Sequence, residues 1–214
     1  MSGSRYGRLV GLVGLIVLVG LIVRAVFISP IDPSGIPPGH RLPPFATPLV
    51  QGSLQGKADI ATHADEGENG KVPACAERGP QIFNVCELYE HAPLVLALFV
   101  DSGSCTGVLD SMQTLMRRFP GVRFAAVAIR GDRGQVRALI REHKLTLPIG
   151  IDEEGTVAAL YKVLTCPQVD FAYRGGEVQS KALLGNPTLA QLRSRVAALT
   201  TAARGRALGA GAKA

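Results

Sequence analysis

The chain has 214 residues, 47% of them hydrophobic, enough for one ordinary domain with a real core and some accessory segments. Its formal net charge of +6 gathers at the two ends: Arg5, Arg8 and Arg24 precede residue 29, and Arg193, Arg195, Arg204, Arg206 and Lys213 follow residue 192. Between them, residues 29–192 hold 15 basic and 17 acidic side chains and no basic stripe interleaved with aromatics, which argues against a nucleic-acid partner.

Residues 9–27 (LVGLVGLIVLVGLIVRAVF) form an apolar run broken only by Arg24. About 20 such residues span a bilayer as a helix, and an arginine near the end snorkels to the interface. The alternative is a cleaved secretory signal. The run is long for that, and Val26-Phe27-Ile28-Ser29-Pro30 offers no small-x-small cleavage site. The expected organisation is a tail at 1–8 and a transmembrane anchor at 9–28. Arg5 and Arg8 precede the anchor with no acid beside them, so the positive-inside rule leaves the N-terminus cytoplasmic. Anchor or signal, the segment exports the rest of the chain, giving a membrane partner and an extracytoplasmic domain at the cell membrane.

Residues 29–50 read as a semi-rigid, proline-rich linker whose Pro43-Pro44-Phe45 end is a candidate to pack on the domain. Residues 51–87 make an N-terminal extension, poor in large apolar side chains as far as Pro80 and with a loop tip at 65–70. The main domain is expected over 88–208. Its first strand, 94–100 (LVLALFV), is a continuous apolar run of the kind buried on both faces of a sheet. Asp101-Ser102-Gly103-Ser104 breaks it, and a helix follows from 105 to 118 with Val108, Leu109, Met112, Leu115 and Met116 at helical spacing.

A second buried strand at 124–129 and a helix at 133–143 come next. Residues 145–151 are extended, and 156–163 form a short helix. Strands at 169–173 and 178–184 flank Arg174-Gly175-Gly176-Glu177, a hairpin signature. A helix over 189–208 closes the domain, its arginines reading as a solvated face, and 209–214 is expected to fray. The order β-α-β-α-β-hairpin-α predicts a three-layer α/β/α sandwich with a mixed central sheet.

Four cysteines in an exported chain suit disulfides, with three possible connectivities, and none lies in a C-x-x-C. His40, His63, His91 and His143 share no ligand spacing with one another or with a cysteine, so no metal is expected, nor any organic cofactor. Asp132 and Asp152-Glu153-Glu154 read as helix-start and turn residues.

This order, with a cysteine at the first strand-to-helix junction and a proline opening the hairpin, resembles the thioredoxin-like superfamily. Within it, the chain looks closest to the exported, membrane-tethered redoxins of the TlpA type. The likeness covers residues 88–199 and is carried by the strand leading to Cys105, the strand at 124–129, Pro148 with Asp152-x-x-Gly155, and Cys166-Pro167 leading to Phe171. The family's active site usually reads W-C-x-x-C. Here it reads Ser104-Cys105-Thr106-Gly107-Val108, so Ser104 stands for the tryptophan and Val108 for the second cysteine.

The resemblance implies that Pro167 is cis and abuts Cys105. A cysteine at a helix N-terminus meets unpaired N–H groups and the positive end of the helix dipole, both of which favour thiolate. Cys105 is therefore the expected nucleophile. Because the residue before the cis-proline flanks that cysteine in this family, Cys166 is the expected partner in a Cys105–Cys166 disulfide, as a non-standard resolving thiol, with Pro167 shaping the substrate edge. The same bond in a purely structural role stays open. Cys75 and Cys86 are read as a structural disulfide stapling the extension to the sheet.

The implied activity is thiol–disulfide exchange with exported protein or small-molecule thiols and disulfides. Its alternatives are an inactive thioredoxin-like binding or scaffold module and a peroxiredoxin-like thiol peroxidase. The peroxiredoxin pattern P-x-x-x-[TS]-x-x-C finds Ser102 but has Leu98 in place of its proline. A copper-delivery redoxin would want C-x-x-x-C, and the fifth position here is Leu109.

Overall fold

The central strands owe their place to side-chain alternation. In the computed structural model, which describes residues 14–19, 34–64 and 72–211, strand β3 (Leu94–Phe99) is buried at every position. Successive side chains of a strand point to opposite faces. Val95, Ala97 and Phe99 thus enter one core, and Leu94, Leu96 and Leu98 the other. Strand β4 (Arg123–Ile129) divides the same way, Phe124, Ala126 and Ala128 against Ala125, Val127 and Ile129. A strand that is apolar on both faces needs a layer on each side, which defines the three-layer sandwich.

The main sheet has the order β5-β4-β3-β6-β7, with β5 spanning Ile149–Asp152, β6 Gln168–Ala172 and β7 Val178–Leu184. β3, β4 and β5 run parallel, while β6 and β7 are antiparallel additions, so the sheet is mixed. One face is covered by α2 (Gly107–Arg118), α3 (Arg133–Glu142) and α5 (Leu189–Gly211), through residues such as Met112, Val136 and Leu192. The other carries α1 (Val85–His91), α4 (Thr156–Leu160) and a two-stranded antiparallel sheet of β1 (Ala46–Pro48) and β2 (Ile82–Asn84). Gly150 of β5 lets that small sheet close on the large one, since a Cβ there would lie 2.7 Å from Thr47 Cγ2 and 2.9 Å from Phe83 Cγ.

Part of the linker expected over 29–50 belongs to the domain, since the compact unit that holds the sheets begins at Ser34, and Gly35 and Ile36 are buried. Leu42 and Phe45 are completely buried. Phe45 stacks on Phe83 and meets Tyr161 edge-on, with ring centroids 5.8 and 5.5 Å apart. Such burial contributes on the order of 2 kcal/mol per side chain, enough to hold a proline-rich segment whose extended backbone is already stiff. Residues 39–42 also cover the β7 edge. Gly39 N–H donates to Val178 O at 2.9 Å, Val178 N–H to His40 O at 2.8 Å, and Leu42 N–H to Gly176 O at 2.8 Å.

The extension expected over 51–87 ends inside α1, whose first residues follow the Asn84 cap. The closing helix runs to Gly211, past the fraying point expected at 209. Of the anchor expected over 9–28, residues 14–19 are helical and the rest lie outside the described residues. Among the described residues no helix is long and apolar enough to cross a membrane.

Candidate active site

β3 stops where Asp101-Ser102-Gly103-Ser104 removes the apolar pattern, and Gly103 takes a left-handed φ of +59° that favours glycine. The chain then makes a 3-10 turn over Gly103–Thr106 before α2 begins at Gly107. The helix expected to start at Cys105 therefore starts two residues later. Gly103 and Gly107 bracket a stretch too short and too polar to bury a helical face, which is why it winds as a tighter turn. Cys105 sits in that turn, its N–H donating to Ser102 O at 3.4 Å. Ser102, Gly103, Ser104 and Gly107 around it are exposed, and Cys105 itself is half-buried.

Cys166 arrives from the other side of the sheet centre. β6 lies antiparallel beside β3, with Leu98 opposite Gln168, so the end of β3 and the start of β6 share one edge of the molecule. The Cys166-Pro167 bond is cis, Pro167 is buried, and Cys166 is half-buried against the core beneath α2. Cys105 and Cys166, 61 residues apart, are joined in a disulfide with their Cα atoms 5.5 Å apart. The backbone N–H of Val100 donates to Cys166 Sγ at 3.2 Å. This donor favours negative charge on Cys166 when the bond opens. The two sulfurs are thus unequal: one stands among exposed residues, and the other is packed and hydrogen-bonded.

Cys75 and Cys86 are joined in a second disulfide, with Cα atoms 5.4 Å apart. Cys86 is buried at the start of α1, and Cys75 lies in the 3-10 turn Ala74–Ala76. Asn84 ties the two segments further. Its Nδ2 donates to Ala74 O at 2.8 Å and Glu77 O at 2.7 Å, and its Oδ1 accepts the N–H of Cys86 at 2.8 Å and of Glu87 at 3.2 Å. Among the described residues no group of three or more His, Cys, Asp or Glu side chains is placed to hold a metal ion.

Sequence reasoning passed over a buried polar cluster beside the Cys166 segment. Asp170 and Gln168 are completely buried in β6. Burial pushes the Asp170 carboxyl up to about 6, against hydrogen bonds from the Gln168 side chain and the Ile36 backbone that pull it down. Gln168 Nε2 donates to Asp170 Oδ2 at 2.9 Å and to Tyr161 O at 3.2 Å. The available signal was a glutamine and an acid two residues apart, on one face of a short buried strand, QVDFA. Asp152, buried at the end of β5, is also raised by burial, but the N–H groups opening α4 oppose that rise and give it a structural role. Of the histidines, His143 Nδ1 lies 2.9 Å from Asp110 Oδ2, which is in the first turn of α2.

A parallel β3-β4-β5 core extended by the antiparallel β6-β7 hairpin, with a cis-proline opening β6 beside the β3–α2 turn, defines the thioredoxin-like fold. Solved redoxin structures share it. A secreted Mycobacterium tuberculosis disulfide oxidoreductase homologous to E. coli DsbE is 23% identical, over 55% of this chain and 89% of that one, with a TM-score of 0.50. A Chlorobium tepidum protein provisionally assigned as thiol:disulfide interchange protein DsbE is 15% identical over 77% and 98%, with a TM-score of 0.58. The peroxidoxin BcpB of Mycobacterium tuberculosis is 13% identical over 78% and 97%, with a TM-score of 0.56. No family model and no curated protein matches the chain in sequence. At these identities the likeness establishes the fold, and the chemistry rests on the residues of the site.

Proposed function

We propose that the chain is an extracytoplasmic thiol–disulfide exchange protein working through Cys105 and Cys166. The observation that carries this reading is the inequality of the two sulfurs: Cys105 stands among exposed turn residues, while Cys166 is packed and accepts the Val100 N–H. In the reducing direction, Cys105 thiolate attacks a substrate disulfide, forming a mixed disulfide and releasing one substrate thiolate. Cys166 thiolate then attacks Cys105 Sγ, restoring the protein disulfide and releasing the second substrate thiol. Two electrons pass from the protein to the substrate, and the reverse sequence oxidises a dithiol. Cys105 lies two residues before α2, so the helix's unpaired N–H groups favour its thiolate, and Val100 N–H favours Cys166 as the leaving group.

The substrates on this reading are exported proteins or small-molecule thiols and disulfides, with Pro167 shaping the edge they meet. The apolar run at 9–28 is read as the anchor that holds the domain at the cell membrane, N-terminus inside. The test is equilibration of the full-length protein in graded glutathione buffers, with thiol labelling and mass mapping of each pair. We expect Cys105–Cys166 to open reversibly while Cys75–Cys86 stays closed. A Cys105–Cys166 potential below about −300 mV, beyond the reach of glutathione, would make that bond structural and overturn the reading.

A further inference from the structure

We propose that Ser34 is a positioning residue for the redox pair, its hydroxyl fixing both ends of the segment 164–168 that carries Cys166 and Pro167. The proposal rests on the exchange reading for its functional meaning, and on hydrogen bonds for its geometry. Ser34 Oγ lies 2.8 Å from Gln168 Oε1 and 3.1 Å from Lys162 O, so its single proton is shared between them, with Gln168 the nearer acceptor. The same oxygen accepts the Leu164 N–H at 3.3 Å. Leu164 is two residues before Cys166 and Gln168 two after it, so one side chain from a distant part of the chain ties both sides of the cysteine.

The orientation of Gln168 is itself determined. Its NH₂ group is taken by Asp170 Oδ2 and Tyr161 O, which leaves Oε1 as the atom turned toward Ser34. The buried Asp170 thereby sets the amide, the amide meets the hydroxyl, and the hydroxyl holds the loop. Leu164 and Thr165 are exposed and bring no burial of their own, although Val163 just before them packs on the core and donates its N–H to Ala158 O at 2.9 Å. Ser34 reaches the site because Gly35, at φ +87°, lets the backbone lie against the hairpin, where a Cβ would sit 3.0 Å from Ala182 Cβ and 3.5 Å from Asp170 Oδ1.

Holding Cys166 beside Cys105 raises the effective concentration of one thiol at the other. That favours the disulfide in its equilibrium with glutathione, where two glutathione thiols reduce the protein disulfide to a dithiol and become one glutathione disulfide. The experiment measures this equilibrium constant separately for each disulfide in full-length wild type, Ser34→Ala, Ser34→Thr and Gly35→Ala. We expect Ser34→Ala to make Cys105–Cys166 roughly threefold to tenfold easier to reduce, the worth of about one net hydrogen bond. Ser34→Thr, which keeps the hydroxyl, should restore the wild-type value. Gly35→Ala, which displaces the strap without removing a polar group, should act in the same direction as Ser34→Ala. Cys75–Cys86 should keep one constant throughout.

An unchanged constant for Cys105–Cys166 in Ser34→Ala overturns the proposal. So does a parallel shift in both disulfides, which would report general loosening, or a Ser34→Thr that behaves as Ala. The exchange reading fails separately, if wild type does not exchange with glutathione at all. In that case the same comparison run against dithiothreitol still decides whether Ser34 positions Cys166.

Discussion

The two disulfides have nearly the same Cα separation, 5.4 and 5.5 Å, yet sit in opposite surroundings. Cys75–Cys86 closes an 11-residue step, one sulfur in the core and both backbones knotted by Asn84. Cys105–Cys166 spans 61 residues, with both partners half-buried, an exposed turn on one side and a lone backbone donor on the other. A thiolate attacks a disulfide only where it can reach a sulfur and where the leaving sulfur tolerates charge. On the exchange reading proposed above, the exposed turn beside Cys105 gives the access and the Val100 N–H on Cys166 steadies the leaving charge, whereas Cys86 lies in the core and Cys75, also half-buried, sits in a segment that Asn84 ties down. On that reading, what separates a staple from a reactive bond is the setting of the attacked sulfur, not the separation of the Cα atoms.

The strongest break of this comparison removes the sulfurs one pair at a time. Cys105→Ser should abolish thiol exchange, measured as turnover of glutathione disulfide or of a disulfide-containing protein. Cys166→Ser should stop the cycle one step later, with glutathione trapped on Cys105 and visible by intact mass. If Cys166→Ser turns over normally, Cys166 is not the resolving thiol. The double variant Cys75→Ala/Cys86→Ala should instead keep its exchange rate and lose stability. Opening an 11-residue loop removes roughly 3 kcal/mol in the chain-entropy model, read by urea denaturation. A folded double variant without exchange would merge the two roles that the surroundings keep apart.

An acid with a raised carboxyl stands near each disulfide in the chain, one half-buried and one fully buried, and the two sharpen the contrast through pH. Glu77, beside Cys75, is raised first by burial and then by the charge and hydrogen bond of Asp59, but it remains partly open to solvent. Asp170, two residues past Gln168, is raised from 3.8 to about 6 by burial. A folded-state value above the unfolded one means that the fold binds the proton more tightly. That contribution is fully present below about pH 4 and is lost as pH rises through about 6. Asp170→Asn should therefore be more stable than wild type at pH 7, by about 2 kcal/mol after allowing for imperfect partners of the new amide. The advantage should vanish at pH 4. Urea midpoints at both pH values check this, and an Asn variant weaker than wild type at pH 7 would show that the carboxylate is well compensated where it lies.

Much of this architecture was legible where burial leaves a pattern. LVLALFV at 94–100 read as a strand buried on both faces and FAAVAI at 124–129 as a second buried strand, each within one residue of β3 and β4, and Gly175-Gly176 marked the β6–β7 hairpin. The meeting of Cys105 with Cys166 was legible only through the order of the elements, because nothing local to either cysteine points to the other. The β1–β2 sheet was not legible, since three-residue strands carry no periodicity and ATP and IFN look like loop. Composition likewise suggested a semi-rigid linker at 29–50 with only its Pro43-Pro44-Phe45 end against the domain, while Leu42 and Phe45 are both completely buried. Ser34 was invisible for a plainer reason: a hydroxyl reveals a role only when its partners, here 128 to 134 residues away, are seen beside it.

The smallest expected effect tests which face of the reactive pair a substrate meets. Leu164 is 68% exposed, two residues before Cys166, although a large apolar side chain gains nothing from water there. Near the staple, among the described residues, Val72 is the comparable exposed neighbour, at 45% and three residues from Cys75. Covering part of a leucine on binding contributes on the order of 1 kcal/mol, or about a factor of five. Leu164→Ala should thus raise the KM for an unfolded protein disulfide by up to roughly fivefold, with kcat and stability unchanged. Glutathione disulfide, too small to lay an apolar side chain on that shoulder, should be turned over as by wild type. Equal losses on both substrates would mean that Leu164 shapes the loop itself, and that the shoulder beside Cys166 belongs to the bond rather than to its substrate.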